Sequence, residues 1–319
     1  MAMDQSQAPR IDVVAADRTV KALADSGFSG VVLIARGDSI LLHRAYGSAN
    51  RHPNTNSKFW IGSMTKGFTA AAILKLQERG RLSVRDTLGK FFRDVPADKR
   101  RITVHELLTH TAGMSGTGAA AGISDRSSAV RAILTKPLAY QPGKGYTYIN
   151  DDYQLLAAIV EIVSGKSWED FVFSELLKPP GMRQTGFWCR DQLRGAGRAC
   201  DWDHRGANGM SSTARDLLLW TRALRTNAVL NPGSRAALEG PQIFVRHEPA
   251  AEVYYGYGVR VYRVGNRTSE IMHSGSSDDG NTVIARLIAP NLTVIVLSDA
   301  GFHGRGTWSS YVAQQIVGG

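Results

Sequence analysis

Apolar residues in this chain follow two periodicities, and the switches between them divide the sequence into three stretches. At the amino-terminal end Ile11, Val14, Val20 and Leu23 stand partly at helical spacing and Gly27 supplies a stop, which predicts a helix over 9–26. The runs GVVLIAR and SILLHRAYG follow, separated by Gly37-Asp38, the pattern of a β-hairpin with a tight glycine turn. Arg36-Gly37-Asp38 also spells an adhesion tripeptide, but the turn accounts for all three residues. From about 63 to 240 the spacing becomes helical. A helix from Ser63 carries Phe68, Ala72 and Leu76 at i+4 steps and closes at Gly80, and Thr103 with Glu106 forms a capping box for a short helix at Val104. NDDYQLLAAIVEIVSG reads as a buried helix ending at Gly165, and Thr213 with Asp216 caps another. After about 253 the chain turns to strands again: YGVRVYRV, a Gly265-Asn266 turn, RTSEIMHSG, NTVIARLIAP and NLTVIVLSDA, then a last helix at 306–317.

Strands at both ends of the chain predict one antiparallel sheet with terminal helices packed on it and a mainly helical region inserted, an α+β sandwich. The expected division is 9–62 plus 245–319 for the sheet part and 63–244 for the helical part, with an active site between them. The longest apolar runs, VVLIA at 31–35 and LTVIVL at 292–297, are far short of the ~18 residues of a membrane span.

Composition narrows the class. The 319 residues, 43% hydrophobic and 21% charged, can bury a core without disulfide or metal. The net charge of +10 invites a nucleic-acid reading, yet basic residues are scattered among acids with no aromatic-interleaved tract, so no nucleic-acid partner is expected. MAMDQSQAPR lacks the basic and apolar regions of a signal peptide; the expectation is a cytoplasmic protein, or a periplasmic or secreted one if a signal has been removed. Cys189 and Cys200 are too far apart for a CxxC motif. They are two free thiols or, in an oxidising compartment, a disulfide contributing ~3 kcal/mol.

Three short motifs carry candidate chemistry. In GSMTKGFTA, Ser63 and Lys66 are three apart and share a helix face. A serine needs a base, and lysine serves as one when desolvation or positive potential lowers its pKa. In YIN, a Tyr148 of lowered pKa would shuttle a proton, and Asn150 would cap a helix or donate its amide to a substrate carbonyl. In HSGS, at a strand end, Gly275 would let a ligand approach the strand, and the Ser276 amide would join an oxyanion hole. The expected site is therefore Ser63, Lys66 and Tyr148 for catalysis, with Asn150, His273, Gly275 and Ser276 for substrate binding.

The order of these motifs, with ITVHELLTHTAGM, QPGKGYTYIN, PPGMRQTGF, GMSSTARDLLLW and YGYGV between and around them, resembles the penicillin-recognising serine hydrolases, specifically the class C β-lactamase branch, over about residues 28–300. That branch includes DD-peptidases, D-aminopeptidases and family VIII esterases. The resemblance implies the β-lactamase/transpeptidase-like fold and an acyl-enzyme on Ser63, with Lys66 and Tyr148 as the proton-transfer pair. It also implies that Asn150 binds substrate and that the amides of Ser63 and Ser276 form the oxyanion hole. Substrates would be esters, amides or β-lactams, small molecules or peptides, without a cofactor. One departure stands out. The family commonly has Lys-Thr-Gly where this chain has His273-Ser274-Gly275. A histidine with pKa near ~6.5 is only partly charged, which weakens the case for β-lactam turnover. If His273 reads an anionic group, acylation by carboxylate-bearing substrates should improve as pH falls. Arg305 is a weaker candidate for the same anion.

Other readings are weaker. HELLTH places His105 and His110 five apart, about 140° around a helix, so they cannot grip one metal as an i, i+4 pair does; no metal site is expected. GTGAAAGISD at 116–125 reads as a flexible rim or surface loop, and Trp188, Trp202 and Trp220 as site or core residues. From a different class, the chain could be a non-catalytic penicillin-binding or sensor protein, but such a binder has no need of a base.

Overall fold

The computed structural model describes residues 11–47, 51–116, 118–187, 201–276, 280–303 and 306–318. Cys189, Cys200, Trp188 and Arg305 lie outside the described residues.

Ten helices and thirteen strands are described. The helices are α1 (Val13–Asp25), α2 (Thr65–Glu78), α3 (Leu88–Phe91), α4 (Val104–Leu108), α5 (Arg126–Leu134), α6 (Asn150–Ser164), α7 (Trp168–Val172), α8 (Ala214–Arg225), α9 (Pro232–Glu239) and α10 (Trp308–Gly318). Eight strands form one antiparallel sheet: β1 (Gly30–Arg36), β2 (Ser39–Tyr46), β6 (Ile243–Glu248), β7 (Ala251–Tyr255), β8 (Arg260–Val264), β9 (Arg267–Ser276), β10 (Asn281–Leu287) and β11 (Leu292–Ser298). Their order is β2-β1-β11-β10-β9-β8-β7-β6, so both ends of the chain meet at β1 and β11, from Gly30 opposite Ser298 to Arg36 opposite Leu292. A small sheet joins β3 (Phe59–Trp60), β4 (Gly186–Phe187) and β5 (Met210–Ser212), and β12 (Phe302–His303) pairs with β13 (Gly306–Thr307).

The unbroken apolar character of β1 and β11 follows from burial on both faces. Val32, Ile34, Val294 and Val296 pack against Ala16 and Val20 of α1 and Val312 and Ile316 of α10. Val31, Leu33, Ile295 and Leu297 face the helical region, in one core with Phe68, Leu74, Leu217 and Trp220. A strand covered on one side alternates; one covered on both does not. Trp202 and Trp220 are core residues, Trp220 stacking on Phe68 at 4.3 Å between ring centroids. No helix among the described residues is long and apolar enough to cross a membrane.

Local chemistry sets the element ends. α1 begins at Val13 and not at residue 9, because the Asp12 carboxylate accepts from the amides of Val14 and Ala15 and fixes the start there. The capping box of α4 is complete in both directions, Thr213 caps α8, and Gly165 ends α6 at φ +72°. Strands begin earlier than expected, at Ile243. β6 is an edge strand with half-covered, charge-rich IFVRHE, so it lacks the apolar signature of the central strands.

Candidate active site

Ser63 is positioned by two backbones in direct contact. It occupies a single 3-10 turn, Gly62–Met64, immediately before α2, and not the α-helix itself. Gly62 holds φ +52°, and a Cβ there would stand 2.9 Å from the Gly275 Cα and 2.7 Å from the Trp60 ring. A Cβ on Gly275 would stand 2.2 Å from the carbonyl oxygen of Ile61. Gly275 is therefore required by the turn that presents Ser63, which packs directly against it. The Thr282 hydroxyl donates to the same Ile61 carbonyl at 3.2 Å, and the Ile61 amide donates to Met210 O at 2.9 Å. Pairing between β8 and β9 stops at Met272, so residues 273–276 keep one backbone edge free of β8, beside the Ser63 turn. Ser276 is exposed at the end of that edge. Gly275→Ala is expected to push the turn off β9 and slow covalent labelling of Ser63 by about a hundredfold, the scale of an ångström-size misplacement; an unchanged rate would contradict this packing.

Lys66 is the second residue of α2 and its side chain is wholly buried. Its Nζ donates to Ser63 Oγ at 3.1 Å, to Asn150 Oδ1 at 2.7 Å and to Ala207 O at 3.1 Å. It lies 4.8 Å from the centre of the Tyr148 ring and 5.7 Å from that of Tyr153. Burial lowers its pKa to about 7; an ionised Asp152 would oppose that shift, and the positive Arg260 adds to it. An amine poised near neutrality, in contact with a hydroxyl, has the chemistry to accept that hydroxyl's proton.

Asn150 opens α6 without capping it: Ile149 is the N-cap residue, and the Asn150 oxygen is given to Lys66. Since an ammonium or amine donates to the oxygen, the Asn150 amide nitrogen is the atom left for a substrate acceptor.

Tyr148 departs from expectation. Its pKa is raised to about 12, chiefly by burial, with the neighbouring Ser63 hydroxyl and Arg260 pulling the other way. The group is a phenol, not a phenolate, and it is equipped to donate a proton. Its buried hydroxyl lies against Ser63 and meets no partner in hydrogen-bonding geometry among the described residues.

His273 also departs from expectation, as an anion reader. Only 3% of it is exposed; Nδ1 lies 2.8 Å from Ser274 O and Nε2 3.3 Å from the Tyr255 hydroxyl. Burial, then Arg260 and Lys66, push its pKa well below the usual value, so it remains neutral as pH falls. A cation there is what the fold suppresses. The positive charge that acts on the site comes from Arg260, at the start of β8 opposite Met272, which sets its field on Lys66, Tyr148 and His273 and forms no ion pair among the described residues.

Arg260, Tyr255, His110 and Asp152 complete the site; none is given a role by its motif, although His110 lies in ITVHELLTHTAGM and Tyr255 in YGYGV. His105 and His110 go to separate partners, the Tyr257 hydroxyl at 2.7 Å and Asp152 Oδ2 at 2.9 Å. No group of His, Cys, Asp and Glu suited to a metal ion occurs among the described residues. The usable signal for Asp152 is its place two residues after Asn150 on a helix apolar around its circumference, where a carboxyl is bound to be buried.

The "Penicillin-binding protein 4*" of Bacillus subtilis (strain 168) is 27% identical over 312 residues, 85% of this chain and 68% of that protein. Among solved structures, the octameric penicillin-binding protein homologue from Pyrococcus abyssi superposes with a TM-score of 0.82 at 24% identity, covering 96% of this chain and 78% of that one. The D-amino acid amidase from Ochrobactrum anthropi SV3, complexed with D-phenylalanine, gives 0.77 at 19% identity over 95% of this chain and 97% of that one. The last two likenesses concern the fold. The family model Beta-lactamase matches residues 16–308, nearly the whole chain, and the protein belongs to that family of serine hydrolases.

Proposed function

We propose that Ser63 is the nucleophile of an acyl-transfer hydrolase, with Lys66 as its base, Tyr148 as proton donor to the leaving group, and the Asn150 amide as a substrate contact. The observation that carries this reading is the wholly buried Lys66 amine, 3.1 Å from Ser63 Oγ and with a pKa of about 7. The hydroxyl adds to the substrate carbonyl as its proton passes to Nζ. Collapse of the adduct expels the leaving group, protonated from Tyr148, whose oxygen regains its proton from the Lys66 ammonium, and leaves an ester on Ser63. Water cleaves that ester by the same proton path in reverse. In this reading the amides of Ser63 and Ser276 hold the oxyanion. Substrate enters between the sheet part, 9–62 with 245–319, and the helical part, 63–244.

Among esters, amides and β-lactams, the field of Arg260 favours substrates bearing a carboxylate, as peptides with a free terminus and β-lactams do. DD-peptidase action, on a free C-terminal carboxylate, is therefore the nearer alternative to a general esterase; D-aminopeptidase action, whose substrates present an α-ammonium, gains nothing from that field. Turnover of p-nitrophenyl acetate, nitrocefin and D-amino-acid peptides by the wild type and by Arg260→Ala tests this. At about pH 9, where Lys66 is unprotonated in both proteins, the variant is expected to raise KM for the anionic substrates about tenfold, the scale of one charge-assisted contact, and to leave the neutral ester within about twofold. Equal effects on both classes would contradict it.

A further inference from the structure

A buried histidine–carboxyl pair lies beneath Tyr148. His110 holds φ +59°, a left-handed conformation rare for a residue with a side chain, and its ring is fully buried. The ring packs 4.6 Å from Tyr148, 5.1 Å from Tyr153 and 5.0 Å from Tyr255, centroid to centroid. Its backbone carbonyl accepts the Thr147 amide at 3.0 Å, and its Nδ1 receives the Ile149 amide at 3.4 Å. His110 thus grips the chain on both sides of Tyr148. The same Nδ1 lies 2.9 Å from Asp152 Oδ2, two residues beyond the Asn150 that holds Lys66. Asp152 is 1% exposed, and its other oxygen has no partner among the described residues.

We propose that His110 and Asp152 are positioning residues that fix the Tyr148–Asn150 segment as an uncharged pair, with Asp152 as the un-ionised acid donating its O–H to Nδ1 of His110, so that no negative charge stands near Lys66. The inference deepens the reading of Lys66 as the base and rests on it.

Two geometric facts place the proton. An Nδ1 that accepts the Ile149 N–H carries no proton of its own, so the hydrogen in the 2.9 Å contact comes from the carboxyl; the two donors share one lone pair, and the ring proton sits on Nε2, which has no partner among the described residues. A carboxylate buried with a single partner and an orphaned second oxygen is far costlier than a neutral acid in the same place. Both pKa shifts agree: burial drives His110 well below and Asp152 well above their ordinary values. Around the pair stand Lys66 of α2, Asp151 and Tyr153 of α6, Tyr146 and Tyr148 of the preceding segment, Tyr255 of β7, Arg260 of β8 and His273 of β9. Asp151 opposes ionisation of Asp152, whereas Lys66 favours it. Asp152 and Lys66 make no direct hydrogen bond, so the question is which of two separated groups holds one proton. On Asp152, that proton leaves the Lys66 amine free; on Lys66, it disables the base.

Infrared spectroscopy of the full chain labelled with 13C-aspartate, at pH 8, reads this directly and needs no activity. The expected result is an un-ionised carboxyl band that persists in Asp151→Asn and is lost in Asp152→Asn. Its absence from the wild type overturns the proposal even if the Asn variant does not fold. The pH dependence of Ser63 labelling by a fluorophosphonate gives a second readout. Asp152→Ala is expected to slow labelling at least about tenfold, and Asp152→Asn, whose amide can donate to Nδ1, to restore it with the acid limb within about 0.3 pH unit of wild type. A limb displaced downward by about one unit in Asp152→Asn, making it about fivefold faster at pH 6, would mean that a carboxylate had been raising the Lys66 pKa and would overturn the pair's neutrality. A wild type with no acid limb near neutrality would instead sink the reading of Lys66, with the infrared band unaffected.

Discussion

Lys66→Met is expected to slow acylation of Ser63 by about a thousandfold, with the fold retained by circular dichroism. The substitution keeps the length and burial of the side chain but removes the amine that is hydrogen-bonded to Ser63 Oγ and can take its proton. The wild type should show the matching pH dependence. Lys66 is a base only when unprotonated, and its pKa lies at about 7. Labelling should therefore rise through neutrality, level off above about pH 8, and fall about tenfold per unit below pH 7. The alkaline side should stay flat until Tyr148, at about 12, begins to ionise. The same profile in Lys66→Met, at any rate, would assign the titration to another group. A histidine-driven profile is not expected from His273 or His110, because burial holds both neutral through this range.

Tyr148→Phe should separate substrates by their leaving groups. A p-nitrophenolate departs without a proton, so acylation by a p-nitrophenyl ester should change by less than about fivefold. Amides and peptides expel an amine that must be protonated, and their turnover should fall by about a hundredfold to ten-thousandfold, the range of general-acid contributions. The buried Tyr148 hydroxyl has no hydrogen-bond partner among the described residues, so its removal should leave the melting temperature unchanged or raise it. A large loss on both substrate classes together with a lowered melting temperature would mark Tyr148 as structural.

Much of the fold is legible locally. The Gly37-Asp38 hairpin turn, the Thr103–Glu106 capping box, the Thr213 cap and the Gly165 stop each depend on a few adjacent residues, and each appears where the residue chemistry places it. The site is legible as membership, since Ser63, Lys66, Tyr148 and Asn150 converge from distant segments. Its electrostatics are not. The pKa values of Tyr148 and His273 are set by burial against β7, β8 and α6, a property of tertiary packing that no local motif encodes. Hence Tyr148 is an un-ionised phenol and not the group of lowered pKa that its motif predicts, and His273 is a neutral hydrogen-bonded ring and not a partial cation. The Gly62–Gly275 contact is of the same kind: each glycine marks a close approach in sequence, but only the fold shows that they approach each other. His110 stands in a segment set aside as a metal motif, and its partner Asp152 lies 42 residues away.

The central claim is that Ser63 is acylated with Lys66 taking its proton. The most direct test is intact-mass spectrometry after brief exposure to a fluorophosphonate and to a penicillin, with peptide mapping of the adduct. The account predicts one adduct per chain on Ser63, absent in Ser63→Ala and forming about a thousandfold more slowly in Lys66→Met. An unmodified Ser63 with both reagents from pH 6 to pH 9, or an adduct mapped to another residue, would contradict it.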